Sequence, residues 1–235
     1  MKRLLILLGL IGVMLLGAQV PTEDPLWQQA KARAQRSWQL VPGTETTTTQ
    51  ILKKDGSVEM TTDIQIAHTL RNDGSIRNSY NFIKMNDEDV TESQKNKKDY
   101  QKMLNKDATP EDASLFHNRE NAQARRTGNS EVIDGVQCYE FSYQYSRQDD
   151  GKEVTVKGNV WLDERGVIHR NTQTLNPLPK MVKEMSTEIF YTYDAQQDVI
   201  VPERIEIDMS ISALLMKRQI KTTHSFDGYW QYQQN

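Results

Sequence analysis

Residues 58–70 read Val-Glu-Met-Thr-Thr-Asp-Ile-Gln-Ile-Ala-His-Thr-Leu, and the alternation in this stretch sets the architecture. Val58, Met60, Thr62, Ile64, Ile66, His68 and Leu70 share one face, while Glu59, Thr61, Asp63, Gln65, Ala67 and Thr69 share the other. A period of two with apolar residues on one side marks a half-buried β-strand. Upstream, residues 44–52 are dense in β-branched threonine, and Lys53-Lys54-Asp55-Gly56 makes a hairpin turn. Downstream, Asn72-Asp73-Gly74 turns the chain into a third strand that reaches about Met85. Three long strands joined by Asp-Gly turns predict an antiparallel meander with one wet face.

The same period returns after residue 131. Tyr139, Phe141, Tyr143 and Tyr145 form an aromatic row on one strand, followed by strands carrying Val154, Val156, Val160 and Leu162, and a run to Leu175. Ile189, Tyr191 and Tyr193 alternate with polar residues, as do Ile205, Ile207, Met209 and Ile211, and a last strand spans 216–230. Nine to eleven antiparallel strands follow one another with no Gly/Pro/Ser-rich linker, so residues 19–235 read as one domain. Twist accumulates from strand to strand, so a sheet of this size must curl. The expected fold is mainly β with α: a strongly curved antiparallel sheet, a half-open barrel, enclosing an N-terminal helix and short lid helices. That helix starts at Asp24-Pro25, an N-cap followed by a residue needing no donor, and carries Leu26, Trp27, Ala30, Ala34 and Trp38 up to Pro42-Gly43. Residues 86–129 break the strand pattern. They read as a polar, partly helical insertion with a weak stripe at Val90, Tyr100, Met103 and Leu104, mostly solvated or serving as a partner-docking arm. A further helix is expected from Thr109-Pro110.

Of 235 residues, 29 are Lys or Arg and 32 Asp or Glu, a net charge of −3 that argues against nucleic-acid binding. One cysteine excludes a disulfide scaffold and a Cys-rich zinc site, and four scattered histidines offer no metal-ligand spacing. Residues 1–18 have the layout of a secretory signal peptide: Lys2 and Arg3, an apolar run over 4–16, then Gly17-Ala18. The run is short of the ~20 residues a spanning helix needs. The expectation is an exported, soluble chain with no stable membrane anchor after cleavage. No cysteine follows the run to accept a bacterial lipid. Cys138 reads as a small buried hydrophobe or, in an oxidising compartment, as one half of an intermolecular disulfide.

No nucleophile elbow, metalloprotease helix, phosphate loop or dinucleotide glycine set occurs, and no enzymatic activity, metal or cofactor is expected. His68 and His224 fall on apolar strand faces, as core histidines or pocket-lining ones, and His117 and His169 have no evident partners. Leu178, Met181, Val182 and Met185 fall at i, i+3, i+4 and i+7, the face of a two-turn helix entered through Pro177 and Pro179. Such a Met-bearing helix lies over the sheet either as a fixed core element or as a movable lid over a flexible apolar ligand. Ile211, Leu214, Leu215 and Met216 break strict alternation, as at a bulge, a barrel rim or an ordinary corner of the core, and with Met209 they complete the candidate ligand-contact set.

Three motifs together resemble a known family. Gly135, Cys138, Tyr139 and Phe141 form a Gly-x-x-Cys-Tyr-x-Phe strand; Val160-Trp161-Leu162-Asp163 precedes a turn; Val201-Pro202-Glu203-Arg204-Ile205 opens a late strand. This order resembles the outer-membrane lipoprotein-sorting family, the LolA/LolB-like superfamily, most strongly over residues 131–230. The resemblance implies a periplasmic half-barrel with a helical lid and an apolar cavity for a lipid or lipoprotein acyl chain. The alternative is a ligand-free module of the cell envelope that binds a protein partner through its aromatic row and charged insertion.

Overall fold

The alternation translates directly into pairing. The structure, a computed structural model, describes residues 23–71, 75–104, 123–149, 152–213 and 216–231. Helix α1 (Pro25–Arg36) and a 3-10 turn (Ser37–Gln39) lead into β1 (Leu40–Val41), β2 (Thr44–Leu52), β3 (Val58–Leu70), β4 (Ile76–Met85) and β5 (Glu88–Asp89). Two short helices, α2 (Thr91–Gln94) and α3 (Lys98–Leu104), follow. The rest is β6 (Gln123–Ile133), β7 (Val136–Asp149), β8 (Lys152–Asp163), β9 (Ile168–Asn176), β10 (Val182–Asp194), β11 (Val199–Ala213), β12 (Met216–Asp227) and β13 (Trp230–Gln231). Eleven strands pair in the order β5-β4-β3-β2-β12-β11-β10-β9-β8-β7-β6, all antiparallel, in a curved sheet that does not close. The link that joins the two halves is β2 against β12, from Leu52↔Gln219 to Thr44↔Asp227.

Helix α1 covers one end of one face. Asp24 caps it by accepting the Leu26 N–H at 2.9 Å, and Pro25 occupies the first turn where its missing N–H costs nothing. Trp27, Ala30 and Ala34 are buried against Phe141, Tyr143, Val160, Leu162, Val167, Ile168 and Ile200. The small alanines let the backbone approach while the Trp27 ring stacks on Phe141 at 6.2 Å and Tyr143 at 6.4 Å. Gly158 makes room for this arrangement: a Cβ there would lie 2.2 Å from the Thr172 carbonyl oxygen and 2.5 Å from the Tyr143 hydroxyl. That hydroxyl donates to Asn171 Oδ1 at 2.7 Å. Arg33 Nε on the helix donates to Asp198 Oδ1 at 2.8 Å, and Arg36 pairs with the same carboxylate, fastening the helix to the β10–β11 turn. The helix ends at Arg36, earlier than the Pro42-Gly43 stop the sequence suggests.

The other end of the same face is covered by the insertion. Tyr100, Met103 and Leu104 of α3 and Val90 pack on Ile64, Ile66 and Ile83, and the Tyr80 hydroxyl donates to the Tyr100 carbonyl at 2.6 Å. Residues 86–104 are therefore docked on the sheet along the stripe that the sequence shows, while most of their other side chains are exposed, as expected of a largely solvated insertion. The expected helix at Thr109-Pro110 lies outside the described residues, as do residues 1–18 and His117.

The segment expected as a lid helix is a loop over residues 177–181 followed by the start of strand β10. Pro177 follows a cis peptide bond, Met181 adopts a φ of +73° in a turn, and from Val182 the chain pairs with β11. A bulge between Val182 and Glu184 resets the phase, so Val182 sits opposite Ile211 while Met185 sits opposite Met209. Two residues three apart then share a face, as they would on a helix, and this is why the spacing misleads. The fifteen-residue β11 supplies a long edge to pair, which a two-turn helix would leave unsatisfied. The irregularity expected around Ile211 is this bulge, carried by β10 opposite Ile211, while β11 pairs with β12 without a register shift up to Ala213↔Met216. Leu214 and Leu215 lie outside the described residues.

Trp27→Ala is expected to cost about 3–5 kcal/mol, because a fully buried indole leaves a cavity under a helix held by few other large side chains. Urea denaturation measures it; a loss below about 1 kcal/mol would show that α1 does not plug the core.

Candidate functional site

Between the two helical covers, the middle of the helix-bearing face is built by five strands in register. Met60 of β3 pairs with Ile51 of β2, Ile51 with Ile220 of β12, Ile220 with Met209 of β11, and Met209 with Met185 of β10. These five form one continuous apolar row across the sheet, roughly 19 Å long at the usual strand spacing. Each is half-buried, in contrast to the sealed clusters at either end. Val182 and Ile211 extend the row toward the strand ends. The next row along the strands is Thr62, Thr49, Thr222, Ile207 and Thr187, with the Thr49 and Thr222 hydroxyls 3.3 Å apart.

Beyond the threonines the face becomes ionic. His224 Nδ1 lies 3.0 Å from Glu45 Oε1 and 3.1 Å from the Thr47 hydroxyl. Burial raises the Glu45 pKa, but the His224 hydrogen bond and charge outweigh it and hold the carboxyl below its ordinary value. Nearby, His68 is buried and its Nδ1 donates to Asn78 Oδ1 at 2.9 Å, while Asn78 donates to the Leu104 carbonyl. His68 thus ties β3 to β4 and, through Asn78, to α3. Burial and the Glu45 charge also push the Tyr229 hydroxyl far above its ordinary pKa, and it donates to the Pro202 carbonyl at 2.5 Å.

Of the residues the sequence singles out, Met185, Met209, Val182 and Ile211 meet on this face. Leu178 and Met181 lie in the β9–β10 loop, Met181 being 55% exposed. For Met216 only the backbone position, opposite Ala213, is described. Met60, Ile51 and Ile220 were not among the sequence candidates, since each reads as an ordinary strand-face residue and only the cross-strand register aligns them.

The remaining chemistry-bearing groups serve the scaffold. Cys138 is fully buried, and burial together with the Asp163 charge pushes its thiol up to about 11. Burial disfavours the Asp163 charge, yet N–H donors from Val167 at 2.9 Å and Arg165 at 2.8 Å hold its carboxyl low. It caps the β8–β9 turn, and His169 Nε2 sits 3.7 Å away. Among the described residues no group of three or more His, Cys, Asp or Glu is placed to hold a metal ion. Also among them, no helix is long and apolar enough to cross a membrane.

No protein-family model matches the chain, and no curated protein matches it. Among solved structures, a DUF1329 family protein from Desulfovibrio piger is similar over 88% of this chain and 91% of its own, at 11% identity and a TM-score of 0.40. A structure of MucB in complex with MucA(peri) is similar over 88% of this chain and 98% of its own, at 8% identity and a TM-score of 0.22. The Pseudomonas aeruginosa MucA/MucB complex is similar over 90% of this chain, at 8% identity and a TM-score of 0.20.

The Glu45–His224 contact has a pH signature. A carboxyl held low in the folded state contributes stability that is present above its unfolded pKa, about 4.3 for glutamate, and is lost as pH falls through the folded value. Wild type should lose stability on acidification below about pH 5 more steeply than Glu45→Gln, as read by thermal unfolding across that window. Equal slopes would mean that the contact contributes nothing to folding.

Proposed function

We propose that the protein is a non-enzymatic carrier or sensor that holds an acyl chain of a lipid or lipoprotein across the middle of its helix-bearing face. One observation carries this reading: the Met60–Ile51–Ile220–Met209–Met185 row is continuous over five strands and half-buried, while the apolar clusters on either side are sealed by helices. An extended hydrocarbon needs a long apolar track rather than a polar pocket. Thioethers adapt to a flexible chain without fixing its position. Three of the five residues are methionine. Burying each CH₂ contributes about 0.8 kcal/mol. The threonine row and the Glu45–His224 contact bound the track on its polar side and stop the chain from sliding into the ionic end.

The leader-like sequence of residues 1–18 supports a periplasmic setting for this activity, where an acyl chain in transit needs shielding from water. An interaction module built on the aromatic row has less to work with. Phe141 is fully buried and Tyr143 is 4% exposed under Trp27, so the centre of the row is core, and only Tyr139 and Tyr145, both half-buried, are left for a protein partner.

Native mass spectrometry of protein purified from its native envelope, or incubated with envelope lipids, is expected to show a co-purifying acylated species. Met185→Gln combined with Met209→Gln should weaken retention on the order of a hundredfold, as contact with three or four methylenes is lost, while the circular dichroism stays unchanged. A wild-type chain that remains bare after incubation would overturn the carrier reading.

A further inference from the structure

Cationic side chains collect where the apolar row meets the strand ends. A cleft of about 490 Å³ opens there, lined by Lys53 and Lys54 of the β2–β3 turn, Lys183 at the β10 bulge, Ser212 of β11, and Lys217 and Arg218 of β12. Of all its lining residues, Glu184 alone is acidic. Arg218 is neutralised by Glu59 at 2.7 Å. Lys53, Lys54, Lys183 and Lys217 are exposed, and among the described residues none has an ion-pair partner. The chain as a whole carries a net charge of −3, so this excess is local.

Apolar side chains stand among these cations. Four large hydrophobic side chains are exposed among the described residues, and two of them, Met181 at 55% and Val58 at 49%, are at this end. Met181 is held in place by its carbonyl, which accepts the Ser212 N–H at 3.0 Å, and Val58 pairs with Leu52 beside the lysine turn. A free phosphate would have no use for exposed apolar groups, and a single anion would call for buried donors in place of mobile, solvated ammoniums. Scattered lysines around protruding apolar side chains match a surface of many mobile anionic groups over a hydrocarbon layer.

We propose that this end of the sheet docks the protein peripherally on an anionic phospholipid membrane. Lys53, Lys54, Lys183 and Lys217 face headgroup phosphates, and Met181 and Val58 enter the interface between them. The inference goes beyond the carrier reading and rests on charge and exposure alone, so the two are tested separately.

The experiment is co-sedimentation of the full protein with phosphatidylglycerol/phosphatidylcholine vesicles and with phosphatidylcholine vesicles, at low and high salt. Binding is expected only to the anionic vesicles and should weaken as salt screens the contact. Lys53→Gln, Lys54→Gln and Lys217→Gln together should lower partitioning about a hundredfold, at about fivefold per cation. The same charge change at Lys97, Lys98 and Lys102, on α3 and the turn before it, should leave binding nearly unchanged. Circular dichroism and acyl retention of each variant are measured alongside; both should match wild type. Absence of wild-type binding, or equal losses in the two triple variants, overturns the proposal. Equal retention on immobilised polyglutamate overturns it in favour of an acidic polypeptide. Bare protein in the mass spectrometer with vesicle binding intact removes the carrier reading and leaves the docking surface standing.

Discussion

Coverage is the constraint on which the rest of the structure depends. Eleven strands at the usual spacing make a face roughly 48 Å across. Helix α1, at twelve residues, is about 18 Å long and about 10 Å wide with its side chains. It seals the β7–β9 end by stacking Trp27 on Phe141 and Tyr143, and α3 seals the β3–β4 end with Tyr100, Met103 and Leu104. Helix α1 also packs on Ile200 of β11 and on Tyr191 and Tyr193 of β10, but neither helical cluster includes the Met60–Ile51–Ile220–Met209–Met185 row. That row therefore stands half-buried on a face whose two ends are fully buried. The functional reading follows from this unequal coverage.

Within the uncovered part, polarity changes along the strands. At one end stands the methionine and isoleucine row, then threonines, then Glu45 and His224 in contact. A chain lying across the sheet on the first row gains dispersion and hydrophobic contact without desolvating the ionic pair, which would be costly. The polarity gradient has a direction: the apolar row continues toward Val182, Ile211 and the strand ends, and is bounded by the Glu45–His224 contact on the opposite side. Cys138, Asp163 and His68, which carry reactive chemistry in other settings, are committed to strand and turn contacts.

Much of this was legible in the sequence wherever the physics is local. Alternation over residues 58–70, Asp-Gly turns, and the Asp24-Pro25 helix start each state a backbone preference within a few residues, and the strands and helix stand where those signals put them. The segment 177–185 was misread for a definable reason. A bulge at Lys183 brings Val182 and Met185 onto one face, reproducing a helical spacing in a strand. The candidate site was half legible: Met185, Met209, Val182 and Ile211 attract notice by composition, whereas Met60 and Ile51 join them only through the Ile51↔Ile220 pairing, which spans 169 residues. The insertion hid its docking for a similar cause, since Val90, Tyr100, Met103 and Leu104 form a weak stripe whose partners Ile64 and Ile83 lie on other elements.

The central claim is that the middle of this face, and not the sealed ends, accepts an acyl chain. Methyl NMR with a spin-labelled fatty acid tests it most directly, because paramagnetic broadening reports proximity residue by residue. The methyls of Met60, Ile220, Met209 and Met185 should broaden selectively, while those of Ile83, Val160 and Leu162 keep their intensity. Broadening spread evenly over the sheet, or confined to the sealed clusters, would contradict the account.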